Sequence, residues 1–305
     1  MPPGYLIYGP QHFPPTKASI GDDEAATADR CRDRGGAYAP TMELRGKRVL
    51  ITGASRGIGE SLARAFAAAG ATVALVARTE DAIRALAAEL GGTAHPTDLS
   101  DPKQVDTLIR HVEDEAGPVD VLVNNAGIGS PAAFTDAPDD DLRRVTEVNY
   151  LAAAELCRQA IPRMLRRGGG HIVNISSMAG CGVVPGLVAY SASKAALSHF
   201  TAGLRADLRG LPIGTTLVEL GPIPTDLLAE SEDYEPTAKS FERGYRLRLM
   251  VDVPREKVAD EVVEAVRKGR RHVRLPKRGV LFPLLSETPR RILELTLTGV
   301  PHQVN

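Results

Sequence analysis

Tyr190 and Lys194 stand four residues apart in the run Tyr190-Ser191-Ala192-Ser193-Lys194. On a helix that spacing puts both side chains on one face. A phenol alone is a poor acid at neutral pH, with an unperturbed pKa of about 10. An ammonium beside it stabilises the phenolate, lowers that pKa and eases proton exchange with a carbonyl or alcohol oxygen. Ser177 lies thirteen residues before Tyr190, where Ser176 and Ser177 close the strand-like run His171-Ile172-Val173-Asn174-Ile175. A hydroxyl at the carboxyl end of a strand sits where α/β sheets hold their ligands.

Far upstream, Thr52-Gly53-Ala54-Ser55-Arg56-Gly57-Ile58-Gly59 carries three glycines spaced Gly-x-x-x-Gly-x-Gly. The apolar, β-branched run Arg48-Val49-Leu50-Ile51-Thr52 precedes it, and a helical segment from Glu60 to Ala69 follows. Strand, Gly-rich turn and helix form a phosphate cradle. Glycine lets the chain turn sharply and a pyrophosphate come close, while the helix N-terminus offers free amides and positive potential. A dinucleotide is therefore expected here, with a proton moved beside it.

The elements that must position these groups alternate. Strands are predicted at 48–52, 72–77, 93–96, 119–124, 171–175, 214–220 and 271–275. Helices are predicted at 58–69, 79–90, 102–115, 139–167, 189–209 and 255–268. Ser100-Asp101-Pro102 is a helix start, with a capping side chain and then proline in the first turn. This order implies the α/β class, a single doubly wound parallel sheet with helices on both faces, the Rossmann fold.

The chain has 305 residues and a formal net charge of −1, which gives no field favouring nucleic acid. Its three cysteines, Cys31, Cys157 and Cys181, have no framework spacing and point to a reducing, cytoplasmic setting. The histidines are scattered and no Cys/His cluster has ligand spacing, so no metal is expected. Residues 1–41 hold six prolines, scattered charge and no apolar period. They read as a disordered leader, and a start at Met42 would still give a complete domain. The domain is expected over 42–276, with a polar, mobile lid at about 223–252.

Together these motifs resemble the short-chain dehydrogenase/reductase family. The Gly-rich run matches that family's own, and Asn124-Asn125-Ala126-Gly127 is similar to its motif after the fourth strand. Asn149, Ser177, Tyr190 and Lys194 fall where its catalytic tetrad belongs. Asp98 matches its acid after the third strand, which contacts adenine. Gly221-Pro222-Ile223-Pro224-Thr225 resembles its Pro-Gly-x-x-x-Thr segment, with Leu220 at the usual proline. The resemblance covers about residues 44 to 275. It implies that Gly53, Ser55, Arg56, Gly57, Ile58, Gly59, Asp98, Asn125, Ala126, Gly127 and Thr225 bind the cofactor, together with Tyr190 and Lys194. It also implies roles: Tyr190 as proton donor, Ser177 orienting the same oxygen, Lys194 on the nicotinamide ribose, and Asn149 anchoring a water that relays protons to Lys194. The family pairs its fourth and fifth major helices across subunits, so a homodimer or homotetramer is expected.

The choice of cofactor turns on the adenosine ribose. An acid after the second strand accepts hydrogen bonds from a free 2′-hydroxyl and repels a 2′-phosphate. Here Ala77 stands at that place, Arg78 follows, and Arg56 lies in the Gly-rich loop. Guanidinium groups without a carboxylate suit a phosphate, so NADP(H) is favoured over NAD(H). Family expectation then favours carbonyl reduction.

Residues 178–188 are small and apolar and carry no charge, so a small apolar carbonyl compound or alcohol is the expected substrate. Oxidation of a sterol or lipid alcohol is the alternative. A non-catalytic dinucleotide sensor is a more distant one, since both Tyr190 and Lys194 are present. From Arg267 to Arg278 there are seven basic residues and no acid, followed by an apolar segment and a helix from Thr288. This tail, 277–305, reads either as cover for the pocket or a subunit interface, or as a peripheral contact with an anionic bilayer.

Overall fold

A computed structural model describes residues 41–248 and 250–277. The expectations for the leader and for the tail from Arg278 onward lie outside the described residues. Seven strands form one parallel sheet: β1 (Arg48–Thr52), β2 (Thr72–Ala77), β3 (Thr93–Pro96), β4 (Val121–Asn124), β5 (Gly170–Ser177), β6 (Ile213–Leu220) and β7 (His272–Leu275). Their order is β3-β2-β1-β4-β5-β6-β7. The winding reverses between β1 and β4, and the crevice at the carboxyl ends of those strands is where such sheets bind ligands.

The helices are α1 (Gly57–Ala68), α2 (Glu80–Leu90), α3 (Pro102–Ala116), α4 (Asp141–Thr146), α5 (Ala152–Arg166), α6 (Val188–Asp207), α7 (Asp226–Glu232), α8 (Glu235–Arg246) and α9 (Arg255–Arg267). Alternation along β1 shows how they cover both faces. Val49 and Ile51 join a core with Leu62 and Phe66 of α1 and Val258 and Val262 of α9. Leu50 points the other way, into a core with Leu108 and Ile109 of α3 and Leu156 and Met164 of α5. Strands buried on both faces must be apolar throughout, which is why they read as continuous apolar runs. Asp101 caps α3 as expected: its Oδ1 accepts from the Lys103 N–H at 3.0 Å, with Pro102 in the first turn.

Two segments carry detail beyond the sequence expectation. The helix read over 139–167 contains a π-helical turn, Glu147–Leu151, between α4 and α5. Asn149 lies in that turn, and its amide is held by the Ile128 backbone at both ends, Oδ1 at 2.8 Å and Nδ2 at 2.9 Å. Such turns are frequent at functional sites. The segment 223–252, read as polar lid, contains α7 and α8. Helix α8 buries only Thr237 and Phe241, one turn apart, and Thr237 Oγ1 donates to the Pro185 carbonyl at 2.6 Å. That contact docks α8 on the loop before α6.

Candidate active site

The Gly-rich loop between β1 and α1 has the shape a pyrophosphate needs. Gly53 and Gly57 have φ of +66° and +61°, a region that side chains with a Cβ rarely adopt. A Cβ on Gly53 would lie 2.8 Å from Ala126 Cα, and one on Gly59 would collide with the Gly53 carbonyl oxygen. The loop is held from the next strand. Asn125 Nδ2 donates to the carbonyls of Thr52 and Gly53 at 2.9 and 3.2 Å, and Thr52 Oγ1 accepts from the N–H groups of Asn125 and Ala126. The Asn125 side chain thus shapes the cradle from behind.

A cleft of about 1130 Å³ opens above these elements. It is large for a small-molecule site, where about 300–1,000 Å³ is usual. Gly53, Ser55, Arg56, Gly57, Ile58 and Gly59 line one end, with Arg78 and Asp98 beside them. Asn125, Ala126, Gly127, Ser177, Tyr190, Lys194 and Thr225 line the rest, so every expected site residue except Asn149 borders one cavity. The Ser100 backbone N–H, then the Ser100 hydroxyl and Arg78, hold the Asp98 carboxyl below its usual range.

Ser177 ends β5, Tyr190 lies in α6, and both line the cleft. Ser177 Oγ donates to the Leu220 carbonyl at 3.3 Å and accepts from the Ala179 N–H at 3.1 Å. Lys194 is buried; its Nζ donates to the Ile175 carbonyl at 2.9 Å and lies 5.9 Å from the centre of the Tyr190 ring. Burial pushes the Lys194 ammonium down to about 8. Burial raises the Tyr190 phenol, and the Ser177 hydrogen bond opposes that rise.

Asn149 lies beneath the cleft, buried, and also donates to Ser193 Oγ at 3.0 Å. A Cβ at Gly127 would stand 3.2 Å from Lys194 Nζ and 3.6 Å from Asn149 Oδ1. The missing side chain at Gly127 leaves open the space between those two groups.

The two arginines assigned to phosphate differ. Arg78 is exposed on the cleft with no ion pair among the described residues. Arg56 is already engaged by α7: its Nη1 is 2.7 Å from Asp226 Oδ2 and its Nη2 3.6 Å from Glu230 Oε1. Over the substrate end, Met178, Val184, Leu187, Phe241 and Met250 make the wall apolar. Arg144 and Arg255 also border the cleft. Neither was found from the sequence, because each lies in a helix-forming polar run with no motif around it.

The model of the family described as short chain dehydrogenase matches residues 47–236. A short chain dehydrogenase of Pseudocercospora fijiensis is 37% identical over 222 residues, 70% of this chain and 72% of that one. The chain spans only 39% of the length of some other curated relatives it matches, and 18% of another. Among solved structures, a gluconate 5-dehydrogenase from Burkholderia cenocepacia in complex with NADP and tartrate superposes with a TM-score of 0.70 at 26% identity. It covers 78% of this chain and 98% of its own. A short chain dehydrogenase/reductase from Burkholderia phymatum in complex with NAD gives 0.69 at 26% identity, covering 87% and 99%.

Proposed function

Because the chain belongs to the short-chain dehydrogenase/reductase family, and so is an oxidoreductase acting on CH–OH/C=O groups with NAD(P), we propose that it reduces the carbonyl of a small apolar ketone or aldehyde with NADPH. One observation carries this reading: Ser177, Tyr190 and Lys194 line a cleft that continues into a glycine cradle, with Lys194 Nζ 5.9 Å from the centre of the Tyr190 ring. The cradle fits a dinucleotide: its tight turn packs so closely on itself and on Asn125–Ala126 that side chains at Gly53 and Gly59 would force it open, and it leads into the N-terminus of α1. When bound, that cofactor supplies the hydride.

The residues do the rest. Ser177 donates to the carbonyl oxygen and fixes its position. Tyr190 gives the same oxygen a proton. A phenol whose pKa burial raises stays protonated at neutral pH, which is the form a reduction requires. The Lys194 ammonium stabilises the phenolate left behind. Asn149 and the space beside Gly127 offer a water its place on the route by which the proton is replaced. Phosphate selectivity rests on Arg78, on Arg56 and on Ala77 at the place of an acid. The apolar wall from Met178 to Leu187 with Phe241 and Met250 favours an uncharged substrate. Exposed Leu142, Leu151 and Val188 on α4, the π turn and α6 fit subunit pairing through those helices.

A series of ketones and aldehydes of rising chain length, followed by NADPH and NADH absorbance, tests the reading. Turnover should rise with apolar length and favour NADPH. A wild-type preference for NADH, or turnover only on charged carbonyl compounds, would overturn it.

A further inference from the structure

His95 lies in β3, while His111 and Glu115 stand one turn apart on α3. Sixteen residues separate the two histidines, so they read as scattered and no metal ligand set was expected. The fold brings them together. His95 Nδ1 is 3.3 Å and His111 Nε2 3.6 Å from the same oxygen, Glu115 Oε2. All three ligand atoms lie within 4.8 Å of one another. We propose that His95, His111 and Glu115 form a site for a divalent transition-metal ion, zinc foremost, which ties the edge strand β3 to helix α3.

The distances suit such an ion. Tetrahedral zinc with bonds of about 2.0–2.1 Å separates its ligand atoms by about 3.3–3.4 Å. Two of the three separations are already near that value. Closing the third takes a shift of at most about 1.5 Å, and the His111 side chain, 68% exposed, is free to make it. The buried ligand is prepared from behind. The His95 side chain is 1% exposed, and its Nε2 is 2.8 Å from Thr93 Oγ1. Its Nδ1 faces the cluster and makes no hydrogen bond. An unpaired ring nitrogen in the interior is costly. With Nε2–H donated to Thr93, Nδ1 offers a lone pair, which is how ligating histidines are usually oriented.

Two imidazoles and one carboxylate suit zinc, copper, nickel or cobalt better than magnesium or calcium. The exposed side of the cluster leaves a fourth position for water. The ion would tie the edge strand β3 to the C-terminal half of α3.

The test uses the full, untagged chain, stripped with chelator and titrated with zinc by calorimetry, and with cobalt(II) by visible absorption. One zinc per chain should bind and raise the unfolding temperature, and cobalt should give a d–d band. His111→Ala and Glu115→Gln change exposed side chains, so both should fold like the wild type. Each should weaken zinc by at least about tenfold and remove the band. His95→Gln should do the same, and if it fails to fold the two surface variants still decide. No zinc binding by the wild type would overturn the proposal and leave His95 and Glu115 as an ordinary ion pair. Binding equal in wild type and His111→Ala would overturn it as well.

Discussion

Arg56 Nη1 lies 2.7 Å from Asp226 Oδ2, so the Gly-rich loop and α7 share an ion pair at the rim of the cleft. Both side chains are more than 60% exposed, and an exposed pair of this kind contributes about 0–1 kcal/mol. Its interest lies in competition. A cofactor 2′-phosphate and the Asp226 carboxylate would claim the same guanidinium, whereas Arg78 has no such rival among the described residues.

Arg78→Ala should therefore weaken NADPH more than Arg56→Ala does, and the double variant should lose most of the preference for NADPH over NADH. A charge-assisted hydrogen bond contributes about 1.5–3 kcal/mol, so a selectivity loss of at least about tenfold is expected for Arg78. Asp226→Asn, which leaves Arg56 only the longer 3.6 Å contact with Glu230, should tighten NADPH a few-fold and leave NADH unchanged. Dissociation constants for both cofactors, measured by fluorescence titration, decide the matter. Equal weakening of the two in the double variant would remove the arginines from selectivity.

Tyr190→Phe removes the phenolic proton and leaves the cradle intact. Turnover should fall by about two to four orders of magnitude, with cofactor affinity within a few-fold of wild type. Ser177→Ala should also cost turnover, because it removes the hydroxyl that positions the substrate oxygen in the cleft it shares with Tyr190. Steady-state kinetics with a saturating ketone would measure both, and near-normal turnover in Tyr190→Phe would exclude it as the donor.

Burial alone pushes the His171 imidazole down to about 4. In the unfolded chain it returns to about 6.5. Between those values the unfolded state holds a proton that the folded state does not. Stability should thus fall as pH drops from about 6.5 toward 4, by up to about 1.4 kcal/mol per pH unit from this group. His171→Asn should flatten that part of the curve, though not fully, since His95 is also held low by burial. Denaturant unfolding at about pH 7.5 and about pH 5 compares the slopes. Identical slopes would show that His171 does not couple folding to pH.

What could be read from the sequence, and what could not, divides along physical lines. Strands of a doubly covered sheet are apolar along their whole length, so β1 and β2 carry their own signal. Ser177 was placed at a strand end because β5 is such a run. The π turn at Asn149 was invisible, because it depends on Ile128, a residue from another loop. Helix α8 was missed because its only buried positions, Thr237 and Phe241, make too weak an apolar period. The pairing of Arg56 with Asp226 spans 170 positions, and local pattern has no access to it. His95 with His111 and Glu115 fails to read for the same reason.

Gly127 offers the sharpest test of the space beneath the catalytic pair. Its Cβ would stand 3.2 Å from Lys194 Nζ, closer than ordinary contact, and 3.6 Å from Asn149 Oδ1. Gly127 is not among the positive-φ glycines, so Gly127→Ala puts no strain on the backbone and acts only through the space it fills. Lys194 Nζ must give way by a few tenths of an ångström, which strains its 2.9 Å bond to the Ile175 carbonyl. A displacement of about 1 Å at a catalytic group can cost up to about a hundredfold in rate. Gly127→Ala should therefore lower kcat by about tenfold or more, while the unfolding temperature and cofactor affinity stay near wild type. Asn149→Ala should show a similar kcat loss together with lower stability, because it also releases the Ile128 backbone and Ser193. If Gly127→Ala keeps full turnover, no water is needed between Lys194 and Asn149, and Asn149 serves only to hold the π turn in place.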